Sequence, residues 1–224
     1  NNPLRDLKVF WQFYRYYRRL KPVACFHFTI KNNIYGTWAA LLASVPAINN
    51  VSGMGTAFIR KGLVSIIVRG LYKFSQPFAY RVYCQNSEDY QLLIDHRLVP
   101  ARRLKLLPGS GVNLQRFNPA LWQGSHQPLR FLYAGRFLAD KGLYELIAAL
   151  DNINQQQLRC QLWLCGFSGV KNVSAIPDQV LRQWQQRPDI NWLGPTDQIE
   201  HLYAQVDCVV LPSYREGMPR TLLE

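Results

Sequence analysis

Long apolar runs and paired cysteines are what this sequence of 224 residues lacks. Its longest stretch without a charged residue, residues 32–59, is broken by Asn, Pro and Gly, short of the ~20 apolar residues that a membrane-spanning helix needs. No charged and then apolar leader opens it, so we expect no secretory signal. Its five cysteines form no C-x2-C pair. We therefore expect buried reduced thiols and a cytoplasmic protein, not disulfides or structural zinc.

Acidic residues are scarce in the first half of the chain. Residues 1–117 contain 17 Lys or Arg but 4 Asp or Glu, whereas residues 118–224 contain 9 and 10. Apolar residues make up 48% and charged residues 18%, which excludes disordered and fibrous classes. The asymmetry predicts two domains, 1–117 and 118–224, of which the basic one faces phosphates, anionic lipid or nucleic acid.

Residues 4–20 have the spacing of an amphipathic, basic helix that Pro22 ends. The apolar positions of this helix are Leu7, Phe10, Tyr14 and Tyr17. Two interpretations stay open: the aromatic side packs against the domain, or the helix lies on an anionic membrane surface. Both hold together if the arginines face outward.

Short β-prone runs alternate with helical segments along the whole chain, which predicts an α/β fold with parallel sheets. In the first half we predict strands at 23–30, 46–51 and 80–85 and helices at 35–43, 63–73 and 87–95. In the second half, strands at 129–134, 161–165, 190–193 and 208–211 lead to helices at 141–150, 177–187, 198–205 and from 219 onward. Such β-loop-α units are typical of a Rossmann-like sheet, whose ligands bind beyond the carboxyl ends of the strands.

The loop after strand 129–134 carries two cations, Arg136 and Lys141, between Gly135 and Gly142. A forked guanidinium and an ammonium at a helix start suit a diphosphate. Two solvated surface charges remain the alternative interpretation.

The loop after strand 208–211 carries two carboxylates, Glu216 and Glu224. Carboxylates accept hydrogen bonds from hydroxyl groups, so this loop favours a polyhydroxylated ligand over a bare phosphate. Gly217 permits close approach of a ligand, and Pro219 is suited to a first helical turn. An ordinary helix start, with Glu216 complementing the helix dipole, is the alternative.

These motifs together resemble glycosyltransferase family 4. They are Gly-Arg-x4-Lys-Gly from Gly135, Trp192-Leu193-Gly194, and the E-x7-E spacing of Glu216 and Glu224 inside Pro-Ser-x-x-Glu-Gly-x-Pro. Segments 28–36, 49–56 and 107–113 are also similar to that family, and to its bacterial branch that extends lipid-diphosphate-linked saccharides for capsule, lipopolysaccharide O-antigen or glycoprotein glycans.

The resemblance implies a GT-B fold, with two Rossmann-like domains whose parallel sheets face a cleft, and a retaining transfer from a nucleotide diphosphate sugar, expected to be a UDP-sugar. By the same likeness Arg136 and Lys141 neutralise the departing diphosphate, Glu216 holds the donor sugar, and Glu224 accepts the ribose hydroxyls. The segment from Gly194 to Thr196 would face the base. The implied donor-binding residues are Gly135, Arg136, Lys141, Gly194, Thr196, Glu216, Gly217, Met218, Pro219 and Glu224, with Glu216, Arg136 and Lys141 catalytic.

No metal and no cofactor is expected, because the sequence has no Asp-x-Asp motif and two basic residues can replace a metal at the leaving group. Gly53-Met54-Gly55 does not complete a dinucleotide fingerprint, so NAD is set aside. Lys31, Asn32 and Gly53 are candidates for the acceptor side. His27 is either an acid/base or, as we favour, a hydrogen-bonded strand histidine.

The implied partners are a nucleotide-sugar donor, a lipid-linked saccharide acceptor and the anionic inner membrane, on whose cytoplasmic face the enzyme would be peripheral; nucleic acid is not expected. The family carries further strands before Leu4 and after Glu224, so we expect a fragment, whose last helix frays near Glu224. Whether this chain catalyses the transfer or only binds its ligands then stays open. A sugar-nucleotide epimerase of the same fold and a basic non-catalytic nucleic-acid-binding module are the alternatives.

Overall fold

The computed structural model describes residues 3–54, 62–109, 111–156 and 159–224. Gly55 and Thr56 of the motif segment 49–56, and Ser110 of segment 107–113, lie outside these ranges. The chain divides into two units: the first is Asn1–Ser110 with Glu216–Met218, and the second is Gly111–Arg215 with Pro219–Glu224. In the described residues each unit contains a four-stranded sheet whose paired strands are parallel, which confirms the predicted α/β class.

The sheet of the first unit has the strand order β1-β2-β3-β4. Its strands are β1 (Cys25–Phe28), β2 (Ala47–Val51), β3 (Arg81–Cys84) and β4 (Leu104–Leu106). Its helices are α1 (Pro3–Leu20), α2 (Thr37–Leu42), α3 (Leu63–Ser75) and α4 (Ser87–Asp95), with a π-helical turn at Asn32–Gly36 and a 3-10 turn at Gln76–Phe78. The core is formed by apolar residues of β2 to β4 and by Tyr72 and Leu93, both fully buried.

Four elements of the first unit are shorter than predicted: β2 by one residue, β3 by two, and β1 and α2 by more. Strand β1 ends at Phe28 because Thr29 has a φ of 75°, a conformation that a β-branched residue rarely adopts and that no strand can continue. Helix α2 begins at Thr37 because residues Asn32–Gly36 form the π-helical turn instead. Helix α4 matches its prediction because the Asn86 side chain caps it, accepting a hydrogen bond from the Asp89 N–H at 2.6 Å.

Helix α1 packs Phe10, Tyr14 and Tyr17 towards the unit, where each is half-buried. Leu7 is exposed, which corrects its assignment to the apolar side. The reason is Asp6, whose carboxylate occupies the inner side of this turn and pairs with Lys31 at 2.6 Å. The aromatic side is therefore packed and the arginines Arg15, Arg18 and Arg19 are exposed.

The sheet of the second unit has the order β7-β6-β5-β8. Its strands are β5 (Leu129–Ala134), β6 (Cys160–Cys165), β7 (Ile190–Gly194) and β8 (Cys208–Val209). Its helices are α5 (Leu143–Gln155), α6 (Asp178–Gln185) and α7 (Ile199–Tyr203), with 3-10 turns at Pro119–Leu121, Ala139–Lys141 and Arg220–Leu222. Strand β6 is buried continuously from Leu162 to Cys165, as expected for a strand inside a parallel sheet.

All predicted elements of the second unit except β5 differ from their predicted bounds, most of them by one or two residues at an end. Helix α5 begins at Leu143, not at 141, because Gly142 has a φ of 72° and separates it from the preceding 3-10 turn. Strand β8 is limited to the two residues that pair with β5. Where a helix was predicted from 219 onward there is a 3-10 turn, after which the Glu224 N–H bonds to the Arg220 carbonyl at 2.9 Å.

The cysteines are free thiols. Cys25, Cys84, Cys160 and Cys165 are buried, as predicted, and burial raises the pKa of Cys84 to about 11. Cys208 is exposed, which corrects the expectation for that residue and agrees with its place on the edge strand β8. In the part of the chain that the structure describes, no helix is both long and apolar enough to cross a bilayer.

Candidate active site

Three glycines bring the carboxyl ends of β5, β6 and β7 together in the second unit. The Gly135 N–H donates to the Cys165 carbonyl at 2.9 Å, and the Gly166 N–H donates to the Gly194 carbonyl at 3.0 Å. A Cβ on Gly166 would stand 1.7 Å from the Gly135 carbonyl oxygen, so no side chain fits there. The loops after the three strands therefore start side by side, as the sequence predicted for a ligand-binding edge.

Buried apolar residues hold the loop that carries Arg136. Phe137 is buried, its ring lies 4.7 Å from that of Trp192, and its N–H donates to the Phe167 carbonyl at 3.0 Å. The hydroxyl of the buried Tyr133 donates to the Arg136 carbonyl at 2.8 Å. The Arg136 side chain itself is exposed. The backbone of this loop is thus fixed while its guanidinium remains accessible.

Gly142 joins the loop after β5 to the loop after β8. A Cβ on Gly142 would stand 2.1 Å from the Pro212 carbonyl oxygen. The Tyr214 N–H donates to the Asp140 carbonyl at 3.2 Å, and the Tyr214 hydroxyl donates to the Glu145 carboxylate. Lys141, half-buried in the Ala139–Lys141 turn, therefore lies in a segment that is attached to residues 212–214 by three contacts.

Glu224 lines a cavity of about 220 Å³ in the second unit. Its carboxylate pairs with Arg220 at 2.8 Å and accepts the Tyr203 hydroxyl at 3.4 Å. Burial, and then the charge of Glu224, raise the pKa of Tyr203. The other cavity-lining residues include the rings of Phe117 and Trp122. The residue that the resemblance assigns to ribose hydroxyls is thus at a concave site, although its oxygens already have protein partners.

The segment assigned to the nucleotide base lies after β7. Gly194 has a φ of 69° and ends the strand. Thr196 is exposed, and its hydroxyl accepts the Gln198 N–H at 3.1 Å. Both residues therefore lie at the carboxyl edge of the sheet, where the sequence predicted them.

In the first unit, Glu216–Met218 lies against residues that follow β2 and β3. A Cβ on Gly217 would stand 2.1 Å from the Ser52 carbonyl oxygen and 3.1 Å from the Gly53 nitrogen. The Asn86 side-chain amide donates to the Gly217 carbonyl at 2.7 Å. Glu216, predicted for the donor sugar, and Gly53, predicted for the acceptor side, are thus brought into one neighbourhood.

The remaining predicted residues are placed separately. Lys31 and Asn32 follow β1, but the ammonium of Lys31 pairs with Asp6 at 2.6 Å and faces α1. Met218 packs at Gly109, where an added Cβ would stand 2.8 Å from its Cγ. Pro219 has an extended backbone and directly precedes the Arg220–Leu222 turn.

His27 is the hydrogen-bonded strand histidine that the sequence favoured. It is 3% exposed, its Nδ1 lies 2.8 Å from Asn49 Oδ1, and its Nε2 lies 2.7 Å from the Tyr17 hydroxyl. An amide oxygen accepts only, so Nδ1 carries the proton and Nε2 accepts from Tyr17. Burial lowers the pKa of His27, so the ring is held neutral.

Three contacts were missed by the sequence reasoning. Asn86 has a recognisable capping pattern, but its bond to Gly217 joins residues 131 positions apart and has no local signal. Gly166 directly follows β6 as Gly135 follows β5, which was a usable signal. No signal in the sequence predicts the hydrogen bond between Tyr214 and Glu145.

Within the described ranges, no group of three or more His, Cys, Asp or Glu side chains is placed to hold a metal ion. The expectation that the reaction needs no metal was based on Arg136 and Lys141, and it stays a prediction.

Comparison with known proteins shows which families this chain is similar to. Residues 128–224 match the family model described as Glycosyl transferases group 1. The whole chain is 24% identical to N,N'-diacetylbacillosaminyl-diphospho-undecaprenol alpha-1,3-N-acetylgalactosaminyltransferase of Campylobacter jejuni, covering 61% of it. Over 99% of its length the chain is 25% identical to UDP-Gal:alpha-D-GlcNAc-diphosphoundecaprenol alpha-1,3-galactosyltransferase of Escherichia coli, covering 59% of it.

Among solved structures, HepE of Anabaena in complex with UDP-glucose superimposes with a TM-score of 0.70. The identity is 16%, and the match covers 94% of this chain and 58% of HepE. This likeness shows the fold, which is that of GT-B glycosyltransferases. Residues 128–224 are thus similar to the glycosyl transferases of group 1, and this chain spans about three fifths of the length of the two relatives.

Proposed function

We propose that the chain is part of a retaining glycosyltransferase of family 4 that moves a sugar from a UDP-sugar to a lipid-diphosphate-linked saccharide in bacterial surface polysaccharide or glycan assembly. The names of the two relatives support the acceptor class, since both include a saccharide on diphospho-undecaprenol. The Escherichia coli relative and the HepE complex support the donor class, since they name UDP-Gal and UDP-glucose.

The observation that carries the proposal is the attachment of the loop after β5 to the loop after β8 through Gly142 and Tyr214. Two cations, Arg136 and Lys141, belong to this pair of loops. When the bond between the sugar and the diphosphate breaks, its electrons leave with the diphosphate, so negative charge grows there. The Arg136 side chain makes no hydrogen bond or ion pair within the described residues, so its guanidinium is available to that charge.

Glu216 holds the hydroxyl groups of the donor sugar in this proposal, with the backbone of Gly217, Met218 and Pro219 beside it. Asn86 supports this role, since it fixes the Glu216–Met218 segment through the Gly217 carbonyl. Glu224 accepts the ribose hydroxyls. Its carboxylate has about four acceptor sites. Arg220 and Tyr203 occupy one each, so the carboxylate can still accept hydrogen bonds from two hydroxyl groups.

The acceptor side is assigned to Lys31, Asn32 and Gly53 of the basic domain 1–117, and the donor side to domain 118–224. Lys31 would exchange its partner Asp6 for an acceptor phosphate. The protein would act without a metal or a cofactor, as a peripheral protein on the cytoplasmic face of the inner membrane. It would not bind nucleic acid.

Donor binding is tested by thermal shift and calorimetry of this chain with UDP, GDP and their sugars. A ligand that binds the native state raises its apparent stability, by about 2.7 kcal/mol at a hundredfold excess over Kd. We expect UDP compounds to raise the melting temperature of the parent. In Arg136→Ala and in Glu224→Ala we expect a smaller rise and an affinity for UDP, measured by calorimetry, that is at least tenfold lower. Arg182→Ala removes an exposed charge from α6 and is the matched control. No shift with any nucleotide would overturn the donor assignment.

Transfer is tested with a UDP-sugar and a synthetic lipid-diphosphate saccharide, with and without a chelator. We expect product that the chelator does not reduce, and loss of turnover in Glu216→Ala and in Arg136→Ala. Full activity in either variant would overturn the role assigned to that residue. Conversion of the donor sugar without any acceptor would favour an epimerase, and DNA binding that falls steeply with salt would favour a nucleic-acid binder.

A further inference from the structure

The loop that follows β6, residues 166–176, is fastened to the cationic loop after β5. The Ala139 N–H donates to the Ser174 carbonyl at 2.7 Å, and the Asp140 N–H donates to the Ser174 side-chain oxygen at 3.0 Å. Ser174 is 3% exposed, so both bonds are shielded from water. The loop after β6 therefore keeps a fixed position relative to the two cations that the proposed function places at the diphosphate.

The backbone of Phe167 is held at the start of this loop by the loops on either side. Directly before it, the Gly166 N–H donates to the carbonyl of Gly194, the last residue of β7, at 3.0 Å. On the other side, the Phe167 carbonyl accepts the Phe137 N–H of the loop after β5 at 3.0 Å. Gly166 has no room for a side chain, because a Cβ there would stand 1.7 Å from the Gly135 carbonyl oxygen. Phe167 is thus the first residue after β6 that can present a side chain to a ligand at this edge of the sheet.

Within the described residues, the ring of Phe167 belongs to neither apolar core of the second unit and contacts no other aromatic ring. The residue is 60% exposed. A single exposed apolar side chain is normal on a protein surface, so exposure alone indicates nothing. The informative feature is its place, directly after the bond to Gly194 and one hydrogen bond away from the cationic loop.

The proposed donor has one part that such a ring recognises. A nucleotide sugar consists of a sugar, a diphosphate, a ribose and a flat base. The two loop cations are assigned to the diphosphate, and the segment from Gly194 to Thr196 is assigned to the base. Phe167 adjoins that segment through the Gly166 N–H. A phenyl ring has no group that hydrogen-bonds to a phosphate or a ribose hydroxyl, whereas every base offers a π-face on which it can stack.

We propose that the ring of Phe167 stacks on the nucleobase of the donor. The base lies with one face on Phe167 and with its edge towards the segment from Gly194 to Thr196. The Thr196 hydroxyl accepts the Gln198 N–H and can still donate its own hydrogen to that edge. The ring thus contributes affinity for any base, and the segment after β7 contributes the choice among bases. This inference rests on the proposed function, because a base is present only if the donor is a nucleotide sugar.

The test is isothermal titration calorimetry of this chain with UDP, comparing the parent with three variants at Phe167. Phe167→Ala removes the stacked ring and should weaken UDP binding by about tenfold. Phe167→Leu keeps a large apolar side chain but no π-face, so it should bind UDP as weakly as Phe167→Ala. Phe167→Trp should bind at least as tightly as the parent. UDP should also change the tryptophan fluorescence of this variant more than that of the parent, because only the variant has an indole against the base.

Val173→Ala is the matched control. Val173 lies in the same loop and is 85% exposed, so this variant also removes an exposed apolar side chain. It should bind UDP as the parent does. Because Phe167 is mostly exposed as well, the melting temperature without ligand should be the same in the parent and in all four variants.

Three results would overturn the stacking while the parent still binds UDP, and they leave the donor assignment intact. The first is equal UDP affinity in the parent and Phe167→Ala, or an equal loss in Val173→Ala. The second is parent-like binding by Phe167→Leu. The third is a loss that appears with UDP-glucose but not with UDP, which would place the ring at the donor sugar instead. No UDP binding by the parent would overturn the donor assignment itself, and the stacking with it.

Discussion

Gly142 lies against Pro212 so closely that a Cβ on Gly142 would stand 2.1 Å from the Pro212 carbonyl oxygen. The φ of Gly142 is 72°, which an L-residue with a side chain rarely adopts. Two independent constraints, the backbone angle and the close approach, thus require glycine at this position. The second glycine of the motif Gly-Arg-x4-Lys-Gly therefore has a structural explanation: it lets the cationic loop after β5 join the loop after β8.

Gly142→Ala should destabilise the second unit by more than the strain of its backbone angle. That strain costs about 1–2 kcal/mol for a residue with a Cβ. The clash with the Pro212 backbone adds to it, because no flexible side chain can move away. Gly169→Ala is the matched control, since its φ is 68° but a Cβ there meets nothing within 4 Å. Urea unfolding of both variants should show a loss for Gly142→Ala that is larger by at least about 1 kcal/mol; equal losses would contradict the packing argument.

The parts of the fold that the sequence predicted well are those with local signals. Strand β5 and helix α4 have the predicted bounds, because β5 is a run of apolar residues and Asn86 is a capping residue at the start of α4. The start of α5 was wrong by two residues because Gly142 adopts a left-handed conformation that its contact with Pro212 requires. The assignment of Leu7 to the apolar side of α1 was wrong because the spacing alone does not reveal that Asp6 pairs with Lys31.

The same distinction holds for the candidate site. Arg136, Lys141 and Glu216 could be predicted for the site because each belongs to a motif with a fixed spacing within one segment. The contact of Gly217 with Ser52 joins residues that are distant in the sequence, and neither residue has a feature that reports the other. The exposure of Ile66 and Phe74 on α3 was also not predicted, because an apolar position in a sequence does not say whether it faces a core or the outside.

Gly217→Ala should weaken the first unit. An added Cβ would stand 2.1 Å from the Ser52 carbonyl oxygen and 3.1 Å from the Gly53 nitrogen, both backbone atoms. We expect a loss of about 1–3 kcal/mol, the usual cost of overpacking a tight contact. Gly70→Ala is the control within the same unit. It lies in open space on α3 and should stabilise by about 0.5–1 kcal/mol, because alanine favours helix over glycine. Thermal unfolding that is unchanged in Gly217→Ala would disprove the close contact.

The buried His27 should make the first unit less stable in mild acid. Burial lowers the pKa of its ring in the native protein below the value of about 6.5 in the unfolded chain. As the pH falls through 6.5, the unfolded chain therefore takes up a proton that the native protein does not. Its contribution to stability is present above this pH and is lost below it, by at most about 1.4 kcal/mol per pH unit.

Unfolding in urea at pH 7.5 and 5.5 measures this effect. The parent should lose stability between the two pH values, and His27→Gln should lose less, whatever its absolute stability. His96 is exposed at the end of α4, so His96→Gln should keep the dependence of the parent. The same pH dependence in His27→Gln and in the parent would exclude His27 as its source. The side chains facing the ring through hydrogen bonds, Tyr17 and Asn49, are neutral in this pH range.

Arg187 should contribute to the second unit through Asp189. Its Nε and Nη2 atoms donate to the two carboxylate oxygens of Asp189 at 2.9 and 2.7 Å, and Nη2 also lies 2.6 Å from Asp151. Asn154 on α5 donates to the same Asp189 carboxylate at 2.9 Å. Both side chains of the forked pair are about three quarters buried. Arg187→Ala should therefore cost about 1.5–3 kcal/mol, the range for hydrogen bonds to charged groups, with Asp151 adding little because it is more exposed.

The pH dependence separates this ion pair from simple loss of packing. The hydrogen bonds from Arg187, above all, lower the pKa of Asp189 below its unfolded value of about 3.9. The pair therefore stabilises the protein above that pH and loses its effect as the pH falls through the lower native pKa. The free energy of unfolding, measured between pH 5 and pH 3, should decline less steeply in Arg187→Ala than in the parent. Arg182→Ala, an exposed residue of α6, should follow the parent, and an equal decline in all three proteins would leave Arg187 without the role assigned to it.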